Sequence, residues 1–126
     1  MKMSRLYWLF VLATILSSTA MAVDLTGDWK VLPDVDIYIR QIDNSVWWLC
    51  ESSGVSPSWT SVANGTVEGN TVSLRWIDVP KGNLSATGTL LLNITSDEEL
   101  EILNQTGGWG GDTWKEIKIM KVGSGF

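Results

Sequence analysis

The feature that most constrains this chain is a rhythm. Short runs in which apolar and polar residues alternate, rich in Val, Ile, Thr and Trp, follow one another with clusters of turn formers between them. A period of two is the mark of a strand with one buried face, and strands spaced this closely belong to sandwiches or barrels. The runs read as Leu25–Leu32, Val35–Ile42, Ser45–Ser52, Trp59–Val67, Thr71–Asp78, Ser85–Ile94, Glu99–Thr106 and Thr113–Lys121. Between them stand Pro33-Asp34, Asp43-Asn44, Gly54 with Pro57, Glu68-Gly69-Asn70, Pro80 to Asn83, Ser96-Asp97-Glu98 and Gly107 to Gly111, all of turn-forming composition. No stretch after residue 22 combines helical periodicity with a clean cap, so helix should be scarce. Eight strands joined in this way predict an antiparallel meander. Closing it removes the two exposed edges that an open sheet leaves. The expectation is therefore an all-β fold: a small eight-stranded antiparallel up-and-down barrel, one domain over residues 23–126.

Alternation also sorts side chains into two faces, and a slip of one residue inverts the sort. The interior set is Trp29, Val31, Val35, Ile37, Ile39, Gln41, Trp48, Cys50, Trp59, Ala63, Leu74, Trp76, Leu90, Leu92, Ile94, Ile117 and Ile119. An eight-stranded barrel is just wide enough to be filled by side chains or to admit one small ligand. Four inward Trp favour filling, because each offers large burial for one N–H to satisfy. Asn104 falls on the same face as Leu100 and Ile102, which requires either a bulge or a buried Asn.

Residues 1–22 have the composition of a signal peptide. Lys2 and Arg5 precede an apolar run from Leu6 to Leu16, and Ala20 and Ala22 occupy the small-residue positions of a cleavage site. The run is too short to span a bilayer. The mature chain is expected to be secreted or periplasmic, outside the cytoplasmic membrane, with no insertion of its own. Losing Lys2 and Arg5 leaves 7 of the 9 basic residues against 14 acidic ones, so the net charge moves from −5 to −7. Such a charge repels phosphate backbones and anionic lipids, which excludes nucleic acid and membrane surfaces as natural partners. Export also suits the N-x-S/T sequons at Asn64, Asn83 and Asn93 as possible glycosylation sites, with Asn104 a fourth triplet.

The chain has no His and one Cys. That removes Ser-His-Asp and Cys-His catalysis, His-containing zinc sites and any disulfide within the chain. No metal and no cofactor is expected, and no D-x-D-x-D-G calcium loop is present. The carboxylates lie in turns or on solvated faces, where a charge run is usually only solvated. Asp78 differs, because it follows inward Trp76 by two positions and belongs at the inner rim, either as an acceptor for the next turn or as a ligand contact. Nothing here forms a recognisable catalytic constellation. Cys50, between Trp48 and Ser52 on the inward face, reads as a buried thiol, the alternative being a bond to a second chain.

Three indoles are left over from the core: Trp47, Trp109 and Trp114. With Asp43-Asn44 at a hairpin tip, Ile39 pairs with Trp48 inside and Arg40 with Trp47 outside. Arg40 over Trp47 is a latch or part of a contact surface, since Tyr, Trp and Arg dominate binding hot spots. Trp109, between glycine pairs, is either a probe for a partner or a plug folded into the barrel mouth. Two functions follow. One is a non-catalytic exported module that binds a protein or glycan through an outer aromatic surface of Tyr38, Arg40, Trp47 and Trp109. The other is a carrier of a small apolar or amphipathic molecule in a barrel mouth lined by Trp29, Trp76, Asp78 and Trp114. An internal void of about 300 Å³ or more favours the carrier; a packed interior beneath a flat aromatic patch favours the module.

Tyr38-Ile39-Arg40-Gln41, then Val46-Trp47-Trp48, then Trp59-Thr60, Gly65 and Gly69-Asn70-Thr71, and finally Trp76-Ile77-Asp78-Val79-Pro80-Lys81-Gly82 span most of the mature chain. This stretch resembles a group of exported prokaryotic β-barrel domains of unknown function that carry the same YIRQ–VWW–W-x-DVP-x-G pattern. The resemblance implies a shared fold and no activity; Cys50 stands where that pattern leads one to expect Gly. Leu25-Thr26-Gly27-Asp28-Trp29 also looks like the G-x-W opening of lipocalins and the first strand of avidin-like barrels, which hold a ligand inside. The polar residues that hold biotin in avidins have no match here.

Overall fold

The computed structural model describes residues 23–80 and 83–123. The expected signal peptide, 1–22, lies outside the described residues. Eight strands follow in order: β1 Gly27–Val31, β2 Val35–Ile42, β3 Ser45–Ser52, β4 Thr60–Glu68, β5 Thr71–Val79, β6 Thr87–Ser96, β7 Glu99–Gln105 and β8 Lys118–Gly123. Each pairs antiparallel with its neighbour in sequence, and β8 returns to β1, so the chain is a closed eight-stranded up-and-down barrel.

The turns explain the connectivity. Asp43-Asn44, Gly69-Asn70 and Asp97-Glu98 each join strands through two residues, between the pairs Ile42–Ser45, Glu68–Thr71 and Ser96–Glu99. Asp43 takes the left-handed conformation that such a tip requires, with φ 54°. These turns all lie at one end of the barrel. The other end carries the longer connections, residues 53–59, 80–86 and 106–117, together with the short turn after β1.

Burial follows the two-residue sort. Trp29, Ile37, Ile39, Trp48, Cys50, Ala63, Leu74, Trp76, Leu90, Leu92, Ile94 and Ile119 are all buried, while Tyr38, Arg40 and Trp47 face out. Trp59 is half-buried, because β4 begins one residue after it, at Thr60. Inward Gln41 is also half-buried and serves the tight-turn end: its Oε1 accepts the Leu25 N–H at 3.0 Å and its Nε2 donates to the Asp43 carbonyl. Asn104 is solvent-exposed because of a bulge. Leu91 pairs with Asn104 but Leu92 with Ile102, so Leu103 is the extra residue and the face changes between Ile102 and Asn104.

The eighth strand differs from expectation. Residues Gly111–Glu116 form a 3-10 helix, and β8 starts only at Lys118. The cause is Gly110, which enters the left-handed region at φ 76° and turns the chain too tightly for a ladder. Trp114 therefore sits in that helical turn, half-buried against the core, with the Lys115 ammonium 5.5 Å from its ring.

Closure needs close backbone approach at defined points. A Cβ on Gly65 would overlap the Ser73 carbonyl across the β4–β5 ladder. Gly65→Ala should cost about 2–3 kcal/mol in urea unfolding, since the clash is with backbone, whereas exposed Thr66→Ala should stay within about 0.5 kcal/mol. Equal midpoints for the two variants would show that the ladder at Gly65 has room to spare.

Candidate functional site

Register places outward side chains in rows that run across the sheet. One row is Tyr38, Leu49, Val62 and Ile77, on β2 to β5, ending at Thr87. The next row, two residues along, is Arg40, Trp47, Asn64 and Arg75. Together they line a concavity of about 600 Å³ on the outside of the barrel. Its apolar members are exposed well beyond what scattered surface residues need: 41% for Tyr38, 48% for Trp47 and 52% for Ile77. Arg40 and Arg75 are the two arginines of the described residues, and both line it; three strand steps of about 4.8 Å put their backbones about 14 Å apart. No carboxylate lines the groove, although the chain carries a net charge of −5.

Asp36 and Glu51 pair with each other one row beyond Tyr38. Partial burial raises the Tyr38 pKa above its ordinary value, and the nearby charges of Asp36, Glu51 and Asp28 add to the shift. The phenol therefore stays a neutral donor. Arg40 does stand opposite Trp47, as the hairpin register requires. The cation–π contacts among the described residues lie elsewhere, Lys115 with Trp114 and Lys121 with Trp29.

Trp109 does not join this surface. Gly107, Gly108, Gly110 and Gly111 all have positive φ and turn the loop back, so that the indole packs on the interior ring of Trp48, with centroids 5.9 Å apart and planes tilted by 48°. The aromatic outer site is Tyr38, Arg40 and Trp47 without Trp109. Leu49, Val62, Asn64, Arg75 and Ile77 complete it, and alternation on consecutive strands was the signal for them.

The four residues expected at the barrel mouth separate. Trp76 and Asp78 line a pocket of about 250 Å³ at the long-loop end. Trp29 does not line it: it is a core residue whose Nε1 donates to the Leu25 carbonyl at 2.8 Å. Nor does Trp114, which the 3-10 turn carries away. Trp59 and Trp109 take their places. Asp78 Oδ2 accepts the Ala86 N–H at 2.9 Å, and Trp76 Nε1 donates to the Thr106 carbonyl at 3.1 Å. Of the sequon residues, Asn64 and Asn83 are exposed and Asn93 is half-buried.

Cys50 is fully buried on the inner face, where it pairs with Ser61 across the β3–β4 ladder. Desolvation pushes its thiol up to about 12, assisted by the charges of Asp78, Glu51 and Asp36. Folding raises this pKa, so the contribution to stability is whole below the ordinary value of 9.0 and is lost as pH rises toward 12. The thiolate is the reactive form. N-ethylmaleimide at pH 8 should therefore leave the native thiol unmodified and label it stoichiometrically in denaturant, as read by intact mass. Rapid labelling of the native protein would mean that the thiol is reachable from outside.

Comparison of the chain with protein-family models, with curated proteins and with solved structures gives no match to any of the three.

Proposed function

We propose that this chain is an exported, non-catalytic binding module whose contact surface is the outer groove over β2 to β5. The observation that carries the reading is the groove itself. A concavity of about 600 Å³ lies outside the barrel, under Trp47 and Tyr38 with two arginines, while the interior is packed with Trp29, Trp48, Trp76 and aliphatic side chains. An apolar surface of this extent on a small domain is costly to leave wet, and a partner removes that cost. Tyr, Trp and Arg are also the residues that carry most binding energy in protein interfaces.

A protein suits the groove better than a glycan. The row Leu49, Val62 and Ile77 is aliphatic, and a sugar laid along it leaves its hydroxyls facing methyl groups with nothing to bond. Trp47 and the polar groups of Tyr38, Arg40, Asn64 and Arg75 are the glycan-compatible part. The groove is cationic and the rest of the chain acidic, so the partner's contacting segment should carry carboxylates beside apolar side chains.

The test is site-specific photocrosslinking in the host, with p-benzoylphenylalanine in place of Val62 and, as a control on another wall of the barrel, in place of Leu103. The Val62 position should give one adduct of discrete mass that disappears when Trp47→Ser or Arg40→Glu is added. Adducts equal at both positions, or none at Val62, would defeat the reading; a glycan adduct at Val62 would keep the groove and change its partner.

A further inference from the structure

The mouth pocket has a chemistry that the groove reading leaves unused. Register across the inner face of β3, β4 and β5 sets Cys50 opposite Ser61 and Ser61 opposite Asp78, a short polar row at the long-loop end of the barrel. Ser61 is 1% exposed, and its hydroxyl has no hydrogen-bond partner. A buried hydroxyl left unsatisfied is costly, so a position like this calls for an occupant. Ser61 lines the 250 Å³ pocket with Asp78 and three indoles, those of Trp59, Trp76 and Trp109. Trp76 is buried and Trp59 and Trp109 are half-buried, so the indoles are positioned by the core and not by solvent.

We infer that this pocket is an aromatic cage for a small organic ammonium ion. The composition of the wall carries the choice of ligand. Indole is the ring with the strongest attraction for a cation over its face, and three of them beside one carboxylate supply both the quadrupoles and the counter-charge. No cationic side chain among the described residues lines the pocket, so nothing there competes for that role. A neutral apolar guest uses the indoles but leaves the Asp78 carboxylate desolvated for no return. An ammonium bearing methyl groups uses both, and a hydroxyl on the same molecule reaches Ser61. At 250 Å³ the pocket is too small for a lipid chain but ample for a molecule of about ten heavy atoms or fewer. The loop that carries Trp109 is held by two backbone N–H groups donating to Gln105 Oε1, which fixes that indole in the pocket wall.

The probes are choline and 3,3-dimethyl-1-butanol, which have the same shape and differ in charge. Isothermal titration of the purified protein should show saturable choline binding, with the neutral isostere weaker by about tenfold or more. Asp78→Asn keeps an oxygen for the Ala86 N–H and should remove most of the preference for choline. Trp109→Leu should weaken choline by about tenfold, while Trp47→Leu, an indole lost from the groove instead, should leave it unchanged. Circular dichroism of each variant separates loss of binding from loss of fold. Equal binding of the two probes, or a high-resolution structure soaked in choline in which only water bonds to Ser61 Oγ, would overturn the cage and leave the groove reading untouched.

Discussion

Everything in this molecule depends on the closed ladder having a fixed bore. Because β1 pairs with both β2 and β8, no strand can slide without breaking a pairing somewhere else in the ring. A bore of that size must be filled to near crystal density, and Trp29, Trp48 and Trp76 do much of the filling from three different strands. Closure also fixes what happens outside. Once Ile39 pairs with Trp48 inside, Arg40 has to stand beside Trp47 outside, and the same registers carry the outer rows to Arg75 and Ile77. The groove is thus a consequence of the same constraint that makes the core.

The two ends of the barrel are unequal because turn length alternates along the meander. Two-residue turns seal one end, where Gln41 takes up the Leu25 N–H and donates to the Asp43 carbonyl. At the other end the long loops cannot close tightly. There the Trp48 Nε1 and the Ser61 hydroxyl remain without partners inside the protein. Buried groups in that condition are uncommon in folded proteins, and each is costly to leave unpaired. The loop of Gly107 to Gly111 matches this asymmetry: its left-handed glycines turn Trp109 inward onto Trp48, and Gln105 Oε1 accepts the Gly108 and Trp109 N–H groups.

How much of this the sequence disclosed depends on how local the cause is. The period-two pattern disclosed the closed antiparallel barrel and the inward side of nearly every strand. It also required a choice at Asn104, which the bulge at Leu103 resolves. The start of β8 was hidden, because Thr113 to Glu116 contains nothing that forbids a strand; the left-handed turn at Gly110 decides it from outside the segment. Trp109 was ambiguous for a related reason: glycines permit many paths, and only the presence of Trp48 at the mouth selects one. At the candidate sites, Tyr38, Arg40 and Trp47 were legible from hairpin register alone. Their neighbours Val62, Arg75 and Ile77 needed the pairings of two further strands, each of which shifts the answer if it slips by one residue.

The same alternation lets one wall serve two chemistries. Along β3, Leu49 points to the groove and Cys50 to the interior; along β4, Val62 points out and Ser61 in; along β5, Ile77 points out and Asp78 in. On β4 and β5, neighbouring residues thus line different concavities while sharing a peptide plane. Side chains on one face can be exchanged without touching those on the other, so an apolar, cationic exterior and an aromatic, acidic mouth need not compromise each other. What they share is the backbone ladder, which comes so close at Gly65 and Gly88 that an added Cβ meets the Ser73 or the Thr106 carbonyl. The position of both concavities is therefore set by the closure of the barrel, and their chemistry by which member of each residue pair faces the lumen.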